Sequence, residues 1–256
     1  MKTIITAEAP TCPPVVREVE AKSILTPSKI PGMAYSLNPY VGCGHACVYC
    51  YVRVMQRFWG HQGERWGGFI DIKRNAAWLA ARELARKKPG KIMLSSATDC
   101  YQPLEKKVRL TRECLSVLAD ARARVSVLTK SALIVRDLDL LRRLPEVEVG
   151  ITITTDDDQV RKIFEPGASF IAARFEALKQ LKQTGLLPFV FVGPVLPMSP
   201  ERLARQLEPL AATVLFDRMN YESLVRPLLI RHRWEMVLDP SWFEQVVETF
   251  REVFGA

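Results

Sequence analysis

Asn38-Pro39-Tyr40-Val41-Gly42-Cys43-Gly44-His45-Ala46-Cys47-Val48-Tyr49-Cys50-Tyr51 is the stretch on which the reading of this chain turns. Its cysteines are spaced C-x3-C-x2-C, so three thiolates can leave one loop and each hold one iron of a cubane. The fourth iron then has no protein ligand and stays open to a small chelating molecule. Gly42 and Gly44 permit the tight backbone that such a loop needs. Zinc is the alternative. A closed tetrahedral site requires four ligands, and His45 is the one nearby candidate for the fourth. It lies between two of the thiols, where one loop would struggle to aim all four groups at one ion, and no second C-x-x-C pair follows.

The other cysteines, Cys12, Cys100 and Cys114, are scattered. A tight trio among scattered singles reads as metal binding in a reducing compartment, not as a disulfide framework. No apolar run approaches the roughly 20 residues that span a bilayer, so no membrane association is expected. The first residues are too short an apolar stretch for a secretory signal, and the expected location is cytoplasmic. The formal charge of +8 favours polyanionic partners.

Outward from the cysteine loop the chain alternates between strand-like and helix-like patterns. Residues 1–36 carry Pro10, Pro13, Pro14, Pro27 and Pro31 and are expected to form an irregular N-terminal arm. Residues 37–256 form the core, closed by a C-terminal helix over Trp242–Phe254. β-like runs fall at Leu37–Val41, Lys91–Ser95, Val125–Thr129, Val147–Ile153, Leu186–Val192 and Thr213–Phe216. Helical spacing of apolar residues marks Asp71–Lys88, a segment after Thr111 as cap, the region of Leu138 and Leu141, Phe170–Thr184 and Pro200–Leu210. Six alternating units predict an α/β fold with a parallel sheet and outer helices, a partial (β/α)6 barrel of the TIM type. A doubly wound open sheet is the competing arrangement. In either, polar groups at the carboxyl ends of strands meet on one face. Those groups are Cys43, Thr98, Asp99, Lys130, Thr154, Gly193 and Asp217.

The cysteine loop, Ser95-Ser96-Ala97-Thr98-Asp99-Cys100-Tyr101-Gln102-Pro103-Leu104-Glu105, Leu128-Thr129-Lys130-Ser131, Ile151-Thr152-Ile153-Thr154-Thr155-Asp156, Glu165-Pro166-Gly167 and Val192-Gly193-Pro194 occur in that order. Together they resemble the radical S-adenosylmethionine superfamily, in its branch similar to spore photoproduct lyase, from Asn38 to about Pro194. The resemblance implies a 4Fe–4S cluster on Cys43, Cys47 and Cys50 that reductively cleaves S-adenosyl-L-methionine to methionine and a 5′-deoxyadenosyl radical for hydrogen abstraction. It implies that Tyr49 packs beside the bound S-adenosylmethionine, that Thr98, Lys130, Thr152 and Thr154 meet its methionine or ribose parts, and that Gly193 lets the adenine approach the backbone. Glu165-Pro166-Gly167 reads as a helix-terminating turn. An external one-electron reductant of the flavodoxin or ferredoxin type is implied as partner.

One departure matters. The position of the lyase cysteine that returns a hydrogen atom is Ser96 here, whose O–H bond is too strong for that task. Tyr49 and Tyr51 match the relay tyrosines, and Cys100 is the shifted candidate donor. The expected function is therefore a radical enzyme, lyase-like or related, on a nucleic-acid or nucleotide-like substrate. A small metabolite or peptide substrate, and a non-enzymatic zinc-binding adaptor, are the alternatives.

Overall fold

In the computed structural model, residues 13–255 are described. Their ten strands are β1 (Val15–Val19), β2 (Leu25–Pro27), β3 (Tyr35–Leu37), β4 (Tyr40–Val41), β5 (Phe69–Lys73), β6 (Ile92–Leu94), β7 (Arg124–Thr129), β8 (Glu146–Thr152), β9 (Phe189–Val192) and β10 (Thr213–Phe216). Seven form one sheet in the order β10-β9-β8-β7-β6-β3-β2. From β3 to β10 every neighbouring pair is parallel, and β2 adds an antiparallel edge. The six parallel strands thus follow one another in space as they do in sequence. A doubly wound sheet reverses its order at a switch point, and no reversal occurs here. The architecture is the partial (β/α)6 barrel, open between β10 and β2.

The core follows from the pattern. Leu37, Leu94, Val125, Val127, Ile151, Val190 and Val192 are almost fully buried along the strands. The helix Leu110–Asp120 lays Leu110, Cys114, Leu115 and Leu118 against them, each large aliphatic contributing about 1.5–3 kcal/mol by leaving water. Thr111 is not that helix's cap. It lies inside the first turn, its hydroxyl donating to the Cys100 carbonyl at 2.6 Å. The closing helix runs Pro240–Phe254, capped by the Asp239 carboxylate.

Three expectations are corrected. The expected irregular arm contains β1 and β2 within its described part; residues 1–12, with Cys12, lie outside the described residues. Prolines interrupt this segment without preventing strands, because β1 pairs with β5 at the side of the molecule and β2 is an edge strand, where an unpaired N–H is tolerated. The expected first strand, Leu37–Val41, is divided at Asn38-Pro39, and its halves enter different sheets: β3 joins the barrel, while β4 pairs with β5 in a small sheet ordered β1-β5-β4. The expected helix Asp71–Lys88 is a strand to Lys73 and a helix only over Ala76–Leu84. Beyond these, the helix Glu222–His232 was not anticipated, its pattern being broken by Pro227. Among the described residues no helix is long and apolar enough to cross a membrane.

Candidate functional site

A cavity of about 310 Å³ opens at the carboxyl ends of the parallel strands, within the size range of small-molecule sites. Cys43, Cys47 and Cys50 all face it, and all three are free thiols. They are carried by the loop after β4, and that loop is braced from three directions. Gly42 has φ of +80° and lies so close to β5 that a Cβ there would come within 2.3 Å of the Phe69 carbonyl oxygen. The Gly42 carbonyl accepts from the Thr98 hydroxyl at 2.7 Å, and the Gly44 N–H donates to Gln102 Oε1 at 2.7 Å. On the third side, Val48 N–H donates to the Phe164 carbonyl and Gly167 N–H to the His45 carbonyl. A Cβ on Gly167 would stand 2.0 Å from the Gly44 oxygen. Glu165-Pro166-Gly167 is thus more than a helix end: it is the back wall of the cysteine loop.

Behind that wall sits a network that sequence reasoning missed. Glu165 and Arg174 are both fully buried and form an ion pair. Glu165 also accepts from the Tyr49 phenol and, at 2.9 Å, from the Thr154 hydroxyl. Arg174 spends its other N–H groups on the carbonyls of Thr152 and Ser169, both at 2.9 Å. Burial alone would raise the Glu165 pKa, but Arg174 and Lys130 outweigh it and hold the carboxyl below its usual range. The Lys130 ammonium lies 5.7 Å from the Tyr49 ring centroid. Burial would discharge it, yet Cys47, Glu165 and Asp99 keep its pKa raised.

A second hidden pair is His45 with Asp99. His45 is 2% exposed and its Nδ1 lies 3.3 Å from Asp99 Oδ2. Asp99 accepts from the Thr129 hydroxyl at 2.7 Å and the Lys130 N–H at 2.9 Å, while the buried His45 Nδ1 beside it makes no hydrogen bond. Burial opposes its charge, but His45 and these donors prevail and place its pKa well below the ordinary carboxylate value. With Nδ1 facing Asp99, His45 serves the loop's shape. Among the described residues no three Cys, His, Asp or Glu side chains converge on one ion position, as a zinc site demands. Thiols that each take a different iron of a cubane have no such requirement.

Of the expected cofactor contacts, Tyr49, Thr98, Lys130, Thr152 and Gly193 line the cavity with the cysteines. Thr98 does so with its hydroxyl already committed to Gly42. Gly193 is packed under Phe191, whose ring would lie 2.3 Å from an added Cβ. Thr154 does not reach the cavity wall; it is fully buried against Glu165. Tyr51 does reach it, its phenol donating to the Ser96 carbonyl at 2.6 Å and its ring stacked 6.5 Å from that of Tyr221. Cys100 does not: it is fully buried in the hydrophobic core, its sulfur 3.9 Å from the Leu94 carbonyl. A thiol there packs as a small apolar group. Ser96, in contrast, lines the cavity, held by Asn38, whose amide oxygen accepts from the Ser96 N–H at 2.9 Å.

The cysteine loop fits the cluster implied for it. Burial, with Asp99 adding to it, pushes the Cys43 thiol up to about 12, and burial likewise raises Cys47 and Cys50. The fit rests on three free thiols lining one cavity from a single braced loop; each must lose its proton when iron binds.

The profile of the Radical SAM superfamily matches residues 37–207. An uncharacterized protein of Methanocaldococcus jannaschii is 36% identical over 208 residues, spanning 80% of this chain and 78% of the relative. An uncharacterized protein of Mycobacterium tuberculosis is 31% identical over 209 residues, and the match spans 76% of this chain but 61% of that protein. Among solved structures, spore photoproduct lyase complexed with dinucleoside spore photoproduct superposes with a TM-score of 0.65 at 16% identity, over 93% of this chain and 78% of the lyase.

Proposed function

The chain belongs to the radical SAM superfamily, and from that premise we propose that Cys43, Cys47 and Cys50 hold a 4Fe–4S cluster beside a bound S-adenosyl-L-methionine. The observation that carries this reading is the gathering of three free thiols, Lys130 and Gly193 on the walls of one cavity at the strand ends. When bound, the pair supplies a 5′-deoxyadenosyl radical on one-electron reduction, able to take a hydrogen atom from a substrate carbon.

The chain's own residues do the rest. The Lys130 ammonium lines the cavity beside the thiols and would pair with the cofactor's carboxylate. Tyr49, fixed by Glu165, offers its ring face at a set angle. Gly193, packed under the Phe191 ring, brings backbone to the cavity wall where a flat base would lie. Gln102, Thr98 and Gly167 hold the loop backbone so that the three sulfurs keep their spacing. Ser96 and Tyr51 stand where the substrate enters, and Tyr51 is the residue of this wall suited to relay a hydrogen atom.

For the substrate we propose a nucleic-acid or nucleotide-like molecule. The +8 charge draws polyanions, and the stacked Tyr51 and Tyr221 offer ring faces for a planar group at the cavity edge. The test is anaerobic reconstitution with iron and sulfide, followed by reduction in the presence of S-adenosylmethionine. Iron–sulfur absorption near four irons per cubane, a paramagnetic signal on reduction and 5′-deoxyadenosine formation are expected, all lost in the Cys43→Ala, Cys47→Ala, Cys50→Ala triple variant. Zinc without acid-labile sulfide would defeat the reading. Stimulation of turnover by DNA or RNA tests the substrate class, and its absence with every nucleic acid would remove that class while leaving the cofactor chemistry.

A further inference from the structure

The cavity takes up the inner side of the cysteine loop, but the loop also has an outer side. Directly after Cys50 the chain forms a 3₁₀ helix, Tyr51–Trp59, ended by Gly60 in the left-handed conformation. Val52 anchors it inward against Cys43, Trp66 and Phe69. Facing solvent are Val54, 46% exposed, and Phe58, 69% exposed. Two arginines share the helix. Arg57 lies with its guanidinium 4.9 Å from the Phe58 ring centroid, and neither Arg53 nor Arg57 has a carboxylate partner among the described residues. From Asn38 to Gly63 the sequence contains no Asp or Glu at all. The result is an apolar, positively charged patch rooted on the third cluster ligand. With a rise of about 2 Å per residue, Val54 stands roughly 8 Å and Phe58 roughly 16 Å along the axis from Cys50.

We propose that this helix is the docking surface for the protein that delivers the electron: a small acidic one-electron carrier with its redox centre near the surface. The inference rests on the cluster assignment above and specifies its partner face. Charge complementarity selects the occupant. Unpaired arginines around exposed apolar side chains attract an acidic surface and reject a basic one. Electron-transfer encounters are also small, burying under about 1,200 Å² in total, so a single short helix and its surroundings suffice. Arg53, Val54, Arg57 and Phe58 do not line the cavity, to which this helix contributes Tyr51 and Val52, so a partner on the patch leaves the cavity to substrate and cofactor. In the docked pair one electron leaves the carrier's reduced centre, which is oxidised by one equivalent, and is accepted at the Cys43, Cys47, Cys50 site. No bond is made or broken across the interface.

The experiment uses the reconstituted holoenzyme and a bacterial flavodoxin in its fully reduced form, with dithionite as a small reductant that needs no docking surface. Stopped-flow absorbance follows cluster reduction, and calorimetry at low ionic strength follows complex formation. In the Arg53→Glu, Arg57→Glu variant, reduction by flavodoxin is expected to slow at least tenfold and flavodoxin binding to weaken by a similar factor. Reduction by dithionite should match that of the parent. Salt should slow the parent's reaction with flavodoxin and have little effect on the variant's. Phe58→Ser should weaken binding while leaving the salt dependence in place, and Arg53→Lys, Arg57→Lys should retain the parent rate, which separates lost charge from lost fold. Flavodoxin reducing the charge-reversed variant at the parent rate would overturn the proposal. So would variants that lose duplex-DNA binding or self-association yet keep the flavodoxin rate. A parent that dithionite cannot reduce would instead strike the cluster assignment, and the docking surface would fall with it.

Discussion

Arg174→Met removes the guanidinium from a fully buried carboxylate and shows what the Glu165 network is worth. In the parent, Glu165 takes hydrogen bonds from Tyr49, Thr154 and Arg174, and neither member of the ion pair is exposed. Methionine fills most of the arginine's volume, so packing loss is small. What remains is an unpaired buried charge, together with the Thr152 and Ser169 carbonyls deprived of their donor. Breaking a buried pair from one side costs roughly 3–5 kcal/mol. For a chain of this size each kcal/mol moves the midpoint by about 2–4 °C, so the drop is roughly 6–20 °C.

The assay is thermal unfolding by circular dichroism under anaerobic, reducing conditions, at several pH values. Glu165 has a folded pKa below its unfolded one. Its contribution is therefore complete above the unfolded carboxylate value of about 4.3 and is lost as pH falls through the folded value. Without Arg174 the largest influence lowering that pKa is gone. The variant's deficit relative to the parent should therefore narrow on acidification, as a neutral carboxyl becomes the cheaper state. Adding Glu165→Gln to Arg174→Met should recover at least half of the loss, because a neutral amide still accepts from Tyr49 and Thr154. A cost for Arg174→Met under about 1 kcal/mol, or a double variant whose loss equals the two single losses added, would refute the reasoning.

Three further outcomes are expected. Gly167→Ala should fold yet hold less than half of the parent's iron after reconstitution, because its Cβ would lie 2.0 Å from the Gly44 carbonyl; iron and sulfide analysis checks this. Cys100→Ala should leave 5′-deoxyadenosine formation unchanged, since that thiol is sealed in the core; product quantification that showed a loss would return it to the site. His61 is buried against Phe69, with hydrogen bonds to Glu64 and Asp71 and with Arg17 nearby. Burial lowers its pKa, but the two carboxylates outweigh that and leave it raised. Its stabilisation is thus full below the unfolded value of about 6.5 and lost as pH rises through the folded one. The melting temperature of the parent should fall over that interval, and His61→Gln should flatten the slope.

The parts of the fold that could be read from sequence are those with long, regular apolar patterns. Five of the six barrel strands, β6 to β10, overlap the apolar runs that recur between helical stretches, β3 shares only Leu37 with its expected run, and the cysteine spacing marks its own loop. The rest depended on contacts between distant segments. Phe69-Ile70-Asp71-Ile72-Lys73 runs directly into Ala76, Leu79 and Ala80, so helical spacing swallowed a strand whose identity comes from pairing with β1 and β4. Asn38-Pro39 divides the first strand because proline donates no hydrogen bond, a break that an apolar tally overlooks. The Glu165–Arg174 pair left one trace: Arg174 falls on the apolar stripe of Ile171, Leu178 and Leu181, where a cation needs an internal partner. Thr154 and Cys100 are expected in the site from the family resemblance, Cys100 as a donor shifted from Ser96. Their actual environments are set by Glu165 in one case and by the core in the other.

The back wall of the cysteine loop has a consequence for how the protein matures. Tyr49 and Glu165 are 116 residues apart in the chain, and Gly167 supplies the N–H that His45 awaits. On a ribosome the cysteines emerge long before the segment that gives their loop its shape. On the cluster assignment proposed above, iron loading belongs to the period after barrel closure, and a factor delivering the metal would meet a folded recipient, not a nascent one.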